Sequence, residues 1–269
     1  MREITLDEII SFDKKRAEKR TCKFIRNQFR DSGQERIILG LSGGLDSSVC
    51  TKLLTKVVNP DKVTGLFLPD VATPEKDAED ARVLASRLGI ELKEIPIDEI
   101  VTTTVQKLNR LSKMTIANIK VRTRMLIFYA FSNEYNGLVC GSSDRSEWLI
   151  GYFTKWGDGA ADFSPIRWLY KTQVRALGRY LDLPTSIVEK KSSPALWEGQ
   201  TARSELGMKY EEIDLILYSF FDLDIPKKKI SQATGLSREK VKRTLNLFED
   251  SRHKRGLPPS PSINLSDTD

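Results

Sequence analysis

The sequence predicts an α/β protein: a doubly wound parallel sheet with flanking helices and a C-terminal helical extension. Three observations lead to this prediction. Short runs at 37–41, 63–68, 92–97 and 137–141 are typical of strands, most of them apolar enough to be covered on both faces. Segments with apolar residues every three or four positions separate these runs and predict helices. Strands that alternate with helices in this way indicate a parallel sheet. After residue 207 only helical patterns follow, which predicts the C-terminal helical extension.

The elements can be justified in order along the chain. One amphipathic helix is expected over 6–29, with Asp31-Ser32-Gly33 ending it, and the strand at 37–41 then runs into a glycine-rich turn. The further predicted helices begin near 47 and cover 75–88, 100–111, 115–131, 171–181, 210–221, 227–233 and 238–249. We therefore expect one domain over 1–269. Its parts are an N-terminal helix (1–30), a nucleotide-binding core (31–183), a lid loop (184–207) and a helical C-terminal part (208–269).

Composition indicates a globular protein with a basic surface. The 269 residues include 39% hydrophobic ones, enough for a core without disulfide or metal staples. The net charge is +6 and the pI is about 9.1, which suits either nucleic acid or small anionic substrates. The lysines and arginines look spread through the chain, and this favours small anions.

Cysteine and histidine content narrows the possible chemistry. Cys22, Cys50 and Cys140 stand far apart, so neither a disulfide framework nor a zinc site is predicted, and a reducing cytoplasm is the simplest compartment. His253 is the single histidine, which excludes a multi-histidine metal site and argues against a Ser-His-Asp triad. We expect neither a signal peptide nor a membrane span.

The turn after the first strand has the features of a phosphate-binding loop. Gly43 and Gly44 allow a tight turn and bring backbone N–H groups close to a ligand, and Ser42, Ser47 and Ser48 add hydroxyl donors. The positive end of the following helix also favours an anion. Asp46 beside phosphate suggests a bridging Mg²⁺, which binds carboxylate and phosphate oxygens together. The loop lacks the lysine of a Walker A motif, and the alternative is a plain strand-to-helix turn.

Ser42-Gly43-Gly44-Leu45-Asp46-Ser47 resembles the loop of the ATP pyrophosphatases, or PP-loop enzymes. The resemblance implies an adenine nucleotide alpha hydrolase-like fold that binds ATP and cleaves it between the α and β phosphates. Beyond this loop the chain resembles ammonia-dependent NAD synthetase over nearly its whole length. The segments that carry this resemblance are 117–125, 141–147, 151–159 with Asp162, 196–201 and 253–255.

The resemblance implies a carbon–nitrogen ligase of NAD biosynthesis. ATP would adenylate the nicotinate carboxylate of deamido-NAD, and ammonia would then displace AMP to give NAD. Glutamine-using members carry a large extra amidase domain that 269 residues do not accommodate, so free ammonia is the expected nitrogen source. Mg²⁺ is the implied cofactor and a homodimer the implied assembly. The expected partners are small molecules, with no membrane and no nucleic acid among them.

The same resemblance implies roles for individual residues. ATP would be bound by Gly40, Leu41, Ser42, Gly43, Gly44, Leu45, Asp46, Ser47, Ser142, Lys171 and Ser193. Deamido-NAD would be bound by Arg122, Lys155, Asp162, His253 and Lys254. Asp46 and Glu147 would hold Mg²⁺, and Asp158 would be catalytic, holding ammonium and helping to take its proton.

Ordinary structural roles are alternatives for several of these residues. Asp46 is a candidate helix cap, and the charges around Arg122 suit a solvated helix face. The chain also departs from the family. Ser142 and Ser193 replace the usual threonines, Asp144 replaces asparagine, and Ala202-Arg203 replaces an Asp-Glu pair in the lid.

Two other functions compete with this hypothesis. One is another PP-loop enzyme, such as a tRNA-modifying or purine-amidating one. The other is a helix-turn-helix DNA-binding module over 228–241, with Gly235 at the turn and Arg238, Lys240, Lys242 and Arg243 on a recognition helix. A helical pair that packs on the core is the preferred explanation of the second pattern, since such pairs are common in helical appendages.

Overall fold

The four strands form one parallel sheet in the order β3-β2-β1-β4, in a computed structural model that describes residues 3–197 and 199–260. The strands are β1 (Arg36–Gly40), β2 (Val63–Phe67), β3 (Glu91–Glu94) and β4 (Gly137–Cys140). In the centre, Ile38 lies opposite Thr64 on one side and Val139 on the other. The strand order reverses between β1 and β4, and ligands bind at such a switch point, outside the carboxyl ends of the strands.

Helices surround the sheet and form the C-terminal part. In chain order they are α1 (Leu6–Ile10), α2 (Lys14–Ser32), α3 (Leu45–Thr55), α4 (Glu75–Leu88), α5 (Asp98–Leu108), α6 (Lys113–Glu134), α7 (Arg145–Ile150), α8 (Lys171–Tyr180), α9 (Thr185–Val188), α10 (Ala202–Leu206), α11 (Tyr210–Phe221), α12 (Lys227–Thr234) and α13 (Arg238–Asp250). The expectation of one helix over 6–29 is wrong. Asp13 accepts a hydrogen bond from the Arg16 backbone N–H at 2.9 Å and starts a second helix there.

Apolar side chains cover both faces of the sheet, which confirms the doubly wound prediction. Along β1, Ile37 and Leu39 pack among residues of α2, α3, α4 and α8, whereas Ile38 packs among residues of α5 and α6. Successive side chains of a strand point to opposite faces, so the side chains of this one short apolar strand pack into the hydrophobic cores on both sides of the sheet.

The C-terminal part is joined to the core through α11. One face of α11 packs with residues of α1, α7 and α10, while Ile216 packs with Ile230, Val241 and Leu245 of α12 and α13. Two cations of the possible recognition helix are engaged within the protein: Lys240 pairs with Glu212 at 2.5 Å, and Arg243 donates to the Glu205 carbonyl. These contacts favour the packed helical pair over a DNA-binding module.

Helix α2 is rich in basic residues, although most of the 43 lysines and arginines lie elsewhere in the chain. Lys14–Ser32 contains eight lysines and arginines against two acidic residues. This surplus of six equals the net charge of the whole chain. The net charge therefore says little about the carboxyl edge of the sheet, where lysines and carboxylates form ion pairs.

Among the described residues, none of the helices is both long enough and apolar enough to cross a membrane.

Candidate active site

The predicted phosphate loop lies at the carboxyl edge of the sheet, between β1 and α3. Gly44 is the N-cap of α3, so the alternative role of Asp46 as the cap of this helix is wrong. The hydroxyls of Ser42 and Ser47 lie 3.1 Å apart, and the Gly44 N–H donates to Ser42 Oγ at 3.3 Å. Hydroxyls and backbone amides thus line a turn at a helix N-terminus, the arrangement that binds phosphate in other α/β proteins.

Two glycines of this loop are required by close contacts. A Cβ on Gly40 would lie 2.7 Å from the Phe128 ring of α6. Gly43 has φ +72°, and a Cβ there would lie 2.1 Å from the Asp77 carbonyl oxygen of α4. Gly43 therefore meets both requirements that only glycine satisfies: left-handed backbone and no space for a side chain.

Lys171 is the centre of the site. Its ammonium lies 2.7 Å from Asp46 Oδ2, 2.7 Å from Glu147 Oε1 and 2.9 Å from Asp144 Oδ2. The three carboxylates come from the first turn of α3 and from the start of α7, and Lys171 is the first residue of α8. The structure thus brings together three residues predicted as ATP or Mg²⁺ contacts, namely Asp46, Glu147 and Lys171.

The charges of this cluster do not balance. Burial alone lowers the pKa of Lys171, but attraction to Asp144, Asp46 and Glu147 outweighs it and raises that pKa well above its usual value. Burial raises the pKa of Asp144 to about 7 and that of Glu147 well above its usual range, while Lys171 opposes both shifts. One ammonium is therefore too little positive charge for three carboxylates.

A hydrogen-bond network positions Lys171 and α7. Asp144 accepts from the Glu147 N–H at 2.8 Å and caps α7. Ser146 Oγ accepts from the Lys171 N–H at 2.9 Å and donates to Asp214 of α11 at 2.5 Å. Asp214 is fully buried, so α11 holds the N-termini of α7 and α8 in a fixed relation.

Asp158, the predicted catalytic residue, lies in the loop between α7 and α8. Its carboxylate accepts from the Thr154 N–H at 2.7 Å. The side chain is exposed to solvent, yet protein atoms surround it closely enough that desolvation raises its pKa to about 6.

Arg122, Lys155 and Asp162 lie near this loop and are already engaged within the chain. Arg122 donates two hydrogen bonds to the Lys155 carbonyl, both at 3.2 Å. Asp162 accepts from the Val139 N–H at 2.7 Å and from the Tyr129 hydroxyl at 3.2 Å. Asp162 thereby holds its loop against the end of β4.

The two C-terminal candidates differ in their surroundings. Lys254 donates to the carbonyls of Gly151 and Phe153, at 2.7 and 2.9 Å, and burial lowers its pKa. It therefore lies against the loop that carries Asp158. His253 is exposed, and the structure does not bring it to the Lys171 cluster.

Ser142 and Ser193 do not share the cluster's hydrogen bonds. Ser142 follows β4 at the same edge of the sheet and is half-buried. Ser193 is exposed, and its hydroxyl donates to the Gln200 carbonyl at 2.6 Å within the segment between α9 and α10. This segment also contacts α6, where Lys120 donates to the Leu196 carbonyl at 2.8 Å.

Sequence reasoning missed three residues at this edge. Asp144 was noted as a departure but given no contact with Lys171, although the spacing Asp-x-x-Glu from Asp144 to Glu147 is a helix-start signal. The Tyr210 ring lies 5.1 Å from the Lys171 ammonium. Lys190 donates to the phosphate loop, and no sequence signal marks it.

Comparison with known proteins agrees with this geometry. The model of the NAD synthase family matches residues 17–258. The NH(3)-dependent NAD(+) synthetase of Hyperthermus butylicus is 46% identical over 96% of this chain and 94% of its own length.

Two solved structures share the fold. The structure of NMN synthetase from Francisella tularensis has a TM-score of 0.84 at 34% identity, over 94% of this chain and all of that one. The NH3-dependent NAD synthetase from Campylobacter jejuni, in complex with nitrate, has a TM-score of 0.81 at 28% identity, over 93% and 100%. The adenine nucleotide alpha hydrolase-like fold is thereby confirmed. With a family match across most of its length and a relative at nearly half identity, the chain belongs to the NAD synthase family.

Proposed function

We propose that this protein converts deamido-NAD to NAD, with ATP as the activating substrate and ammonia as the nitrogen source. The observation that carries the proposal is the meeting of the Ser42–Ser47 hydroxyl pair with Lys171 and its carboxylates at one edge of the sheet. Family membership adds the acyl substrate, because the curated relatives named above are ammonia-dependent NAD synthetases. The three cysteines are free and buried, which supports a reducing cytoplasm.

The chemistry needs two steps because a carboxylate is a poor electrophile. In the first, a nicotinate carboxylate oxygen attacks the α-phosphorus of ATP, a new O–P bond forms, and pyrophosphate leaves. In the second, ammonia attacks the carbonyl carbon of the acyl-adenylate. The C–O bond to AMP then breaks, and one proton is released to a base.

The phosphate loop and Lys171 would carry the first step. The amides of Gly43 and Gly44, the two serine hydroxyls and the N-terminus of α3 offer donors to the leaving pyrophosphate. Lys171 would exchange a carboxylate for a phosphate oxygen when ATP binds. We propose that Ser142 and Ser193 also contact ATP, because their hydroxyls lie on segments that border this edge.

Asp46 and Glu147 fit a Mg²⁺ site. Asp46 Oδ1 is buried and accepts no hydrogen bond, and one ammonium leaves the cluster short of positive charge. Among the described residues, no group of three or more His, Cys, Asp or Glu side chains is arranged to hold a metal alone. That agrees with Mg²⁺, which usually takes one or two carboxylates and completes its shell with substrate phosphates and water. When bound, the ion would supply charge to offset the two polyanionic substrates.

Asp158 would bind ammonium, and the cations around its loop would bind deamido-NAD. Asp158 is accessible, and with a pKa of about 6 it is ionised at neutral pH, able to hold an ammonium ion and accept its proton. Arg122, Lys155 and Lys254 would face the phosphates of deamido-NAD. Asp162 would act by fixing the loop, since its own carboxylate is occupied by Val139.

We also propose a homodimer, in which His253 would reach the partner's substrate. Apolar side chains on α5 and α6 are left exposed in the single chain, namely Ile100, Leu108, Met114 and Leu126. Isolated exposed apolar residues need no explanation, but four on one helical pair support an interface.

A second candidate substrate is nicotinate mononucleotide. The likeness to an NMN synthetase over the whole length of that chain favours it, and the same two steps would give NMN.

The deciding assay incubates the purified chain with ATP, Mg²⁺ and ammonium, and with either deamido-NAD or nicotinate mononucleotide. We expect equal amounts of NAD, AMP and pyrophosphate, and a kcat/KM for deamido-NAD at least about tenfold above that for the mononucleotide, a difference of ~1.4 kcal/mol. Replacing ammonium by glutamine should stop the reaction. Preference for the mononucleotide would establish the second candidate, and no AMP from either acid would favour another PP-loop enzyme.

A further inference from the structure

Lys190 connects three separate parts of the chain beneath the phosphate loop. Its ammonium donates to the Gly43 carbonyl oxygen at 2.8 Å. The same ammonium lies 2.7 Å from Asp77 Oδ1 and 2.7 Å from Asp80 Oδ2, both on α4. Lys190 itself stands just after α9, within the predicted lid segment 184–207.

Neighbouring residues hold the Lys190 ammonium in place. Arg175 of α8 donates to the carbonyls of Val188 and Lys190, which fixes the backbone that carries the side chain. Asp80 is buried and also accepts from Ser186 Oγ at 3.0 Å. Only about a fifth of the Lys190 side chain is exposed, unlike the lysines of α2, most of which are exposed.

The geometry of a peptide unit gives this contact a consequence for the ligand. The Gly43 C=O and the Gly44 N–H belong to one planar, trans peptide, so they point in opposite directions. Lys190 and α4 hold the carbonyl on one side. The N–H therefore points into the hollow of the loop, where Ser42 Oγ accepts it at 3.3 Å.

The contact with α4 also limits the backbone conformations that the phosphate loop can adopt. Gly43 is so close to the Asp77 carbonyl that there is no room for even a methyl group between them. A cation on the carbonyl oxygen also polarises the peptide and makes its N–H a stronger donor.

We propose that Lys190 is a positioning residue for ATP: it holds the Gly43–Gly44 peptide so that the Gly44 N–H faces the phosphates. The inference rests on the proposed nucleotide-binding role of the loop, but not on which acid is amidated. Lys190 would thus act through the peptide, and not by touching the nucleotide.

The test compares Lys190→Met with Lys191→Met. Lys191 is the neighbouring lysine and is exposed, so it controls for the loss of one positive charge beside the loop. Affinity for Mg²⁺ and an ATP analogue with a methylene bridge between the α and β phosphates is measured by calorimetry, and affinity for deamido-NAD is measured separately. Lys190→Met should weaken nucleotide binding about 10- to 100-fold, the range of one lost charge-assisted hydrogen bond. Lys191→Met should change it less than about threefold, as expected of an exposed charge. Deamido-NAD binding should be unchanged in both variants.

A second readout needs no ligand. The 16 glycines allow a spectrum of glycine-labelled protein to be resolved, and the peak lost in Gly44→Ala identifies the Gly44 amide. That peak should move in Lys190→Met and stay in place in Lys191→Met. Lys190→Arg, which keeps a donor and a charge, should restore both the peak position and most of the nucleotide affinity. If Lys190→Met does not fold, the peak position and nucleotide affinity of Lys190→Arg still test the inference.

Three outcomes would overturn the inference. One is a nucleotide affinity of Lys190→Met equal to that of Lys191→Met. Another is an equal loss of nucleotide and deamido-NAD binding, which indicates general damage. The third is lost nucleotide binding with an unmoved Gly44 peak, which indicates a direct contact between Lys190 and phosphate. Failure of the proposed function is distinguishable, because the wild-type chain itself would then not bind the nucleotide.

Discussion

Lys171 and its three carboxylates show how single residues make this site. Asp46, Asp144 and Glu147 share one ammonium at 2.7–2.9 Å, so removing one carboxylate still leaves Lys171 with two partners. A structural role and a metal-binding role for Asp46 therefore predict different results. The structural role predicts a loss of stability on substitution, and the metal-binding role predicts a loss of turnover.

Asp46→Asn should lower Mg²⁺-dependent turnover by about 100-fold or more, the effect of removing one well-placed electrostatic group from an active site. The unfolding temperature should stay close to that of the wild type, since the variant relieves repulsion among the carboxylates. Turnover is measured as AMP release across a magnesium titration, beside thermal unfolding. Unchanged turnover at every magnesium concentration would remove Asp46 from the mechanism.

Gly43 allows backbone strain and steric contact to be separated. Gly43 and Gly33 have nearly equal positive φ values, +72° and +68°, but only Gly43 has protein atoms within 4 Å of an added Cβ. Gly33→Ala should cost about 1 kcal/mol of unfolding free energy from the left-handed backbone alone.

Gly43→Ala should cost at least about 2 kcal/mol more than Gly33→Ala, because the new methyl group forces the loop away from α4. Urea unfolding of both variants measures the difference, and ATP binding should be lost only in Gly43→Ala. Equal costs for the two variants would show that the contact with Asp77 is not tight in solution.

At the scale of elements, α11 organises the site through Asp214, besides placing the Tyr210 ring near Lys171. Asp214 accepts from Ser146 Oγ and from the Thr172 N–H, at 2.5 and 2.9 Å, and so links the N-termini of α7 and α8. Burial raises its pKa from 3.8 to about 6, although these hydrogen bonds oppose the shift. The folded chain therefore binds this proton more tightly than the unfolded chain does.

The pH dependence of stability follows from that difference. The stabilising contribution of protonated Asp214 is complete below pH 3.8 and is lost as the pH rises through about 6. Relative to Asp214→Asn, which stays neutral, the wild type should lose up to about 3 kcal/mol of unfolding free energy between pH 4 and 8. Denaturant unfolding of both proteins across this range provides the measurement. A constant difference would mean that Asp214 keeps an ordinary pKa.

At the scale of the whole molecule, the exposed apolar side chains of α5 and α6 lead to a prediction about assembly. Leu126 is 61% exposed near the middle of α6, and Val83 is 47% exposed on α4 and serves as a matched control. Leu126→Glu should convert a dimer into a monomer, since a charge in an apolar interface has no partner. Val83→Glu should remain a dimer. Light scattering after size exclusion distinguishes the two, and a monomeric wild type would contradict the proposed assembly.

Much of the fold was predictable because its signals are local. The bounds predicted for α4 and α11 match the structure, and the glycine-rich turn was correctly placed between a strand and a helix, β1 and α3. The interruption between α1 and α2 was missed because the apolar periodicity continues across it, while the capping by Asp13 is a short-range polar effect.

The sequence by itself determined the layered α/β architecture, the phosphate loop and the family, since periodicity, glycine pairs and motif spacing are all written along the chain. Only the tertiary structure decided which charges meet. Asp144 and Asp46 are 98 positions apart and share Lys171, and Lys190 reaches Gly43 across 147 positions. Contacts of this kind depend on how strands and helices pack, and ion pairs at such separations leave no periodic trace in a single sequence.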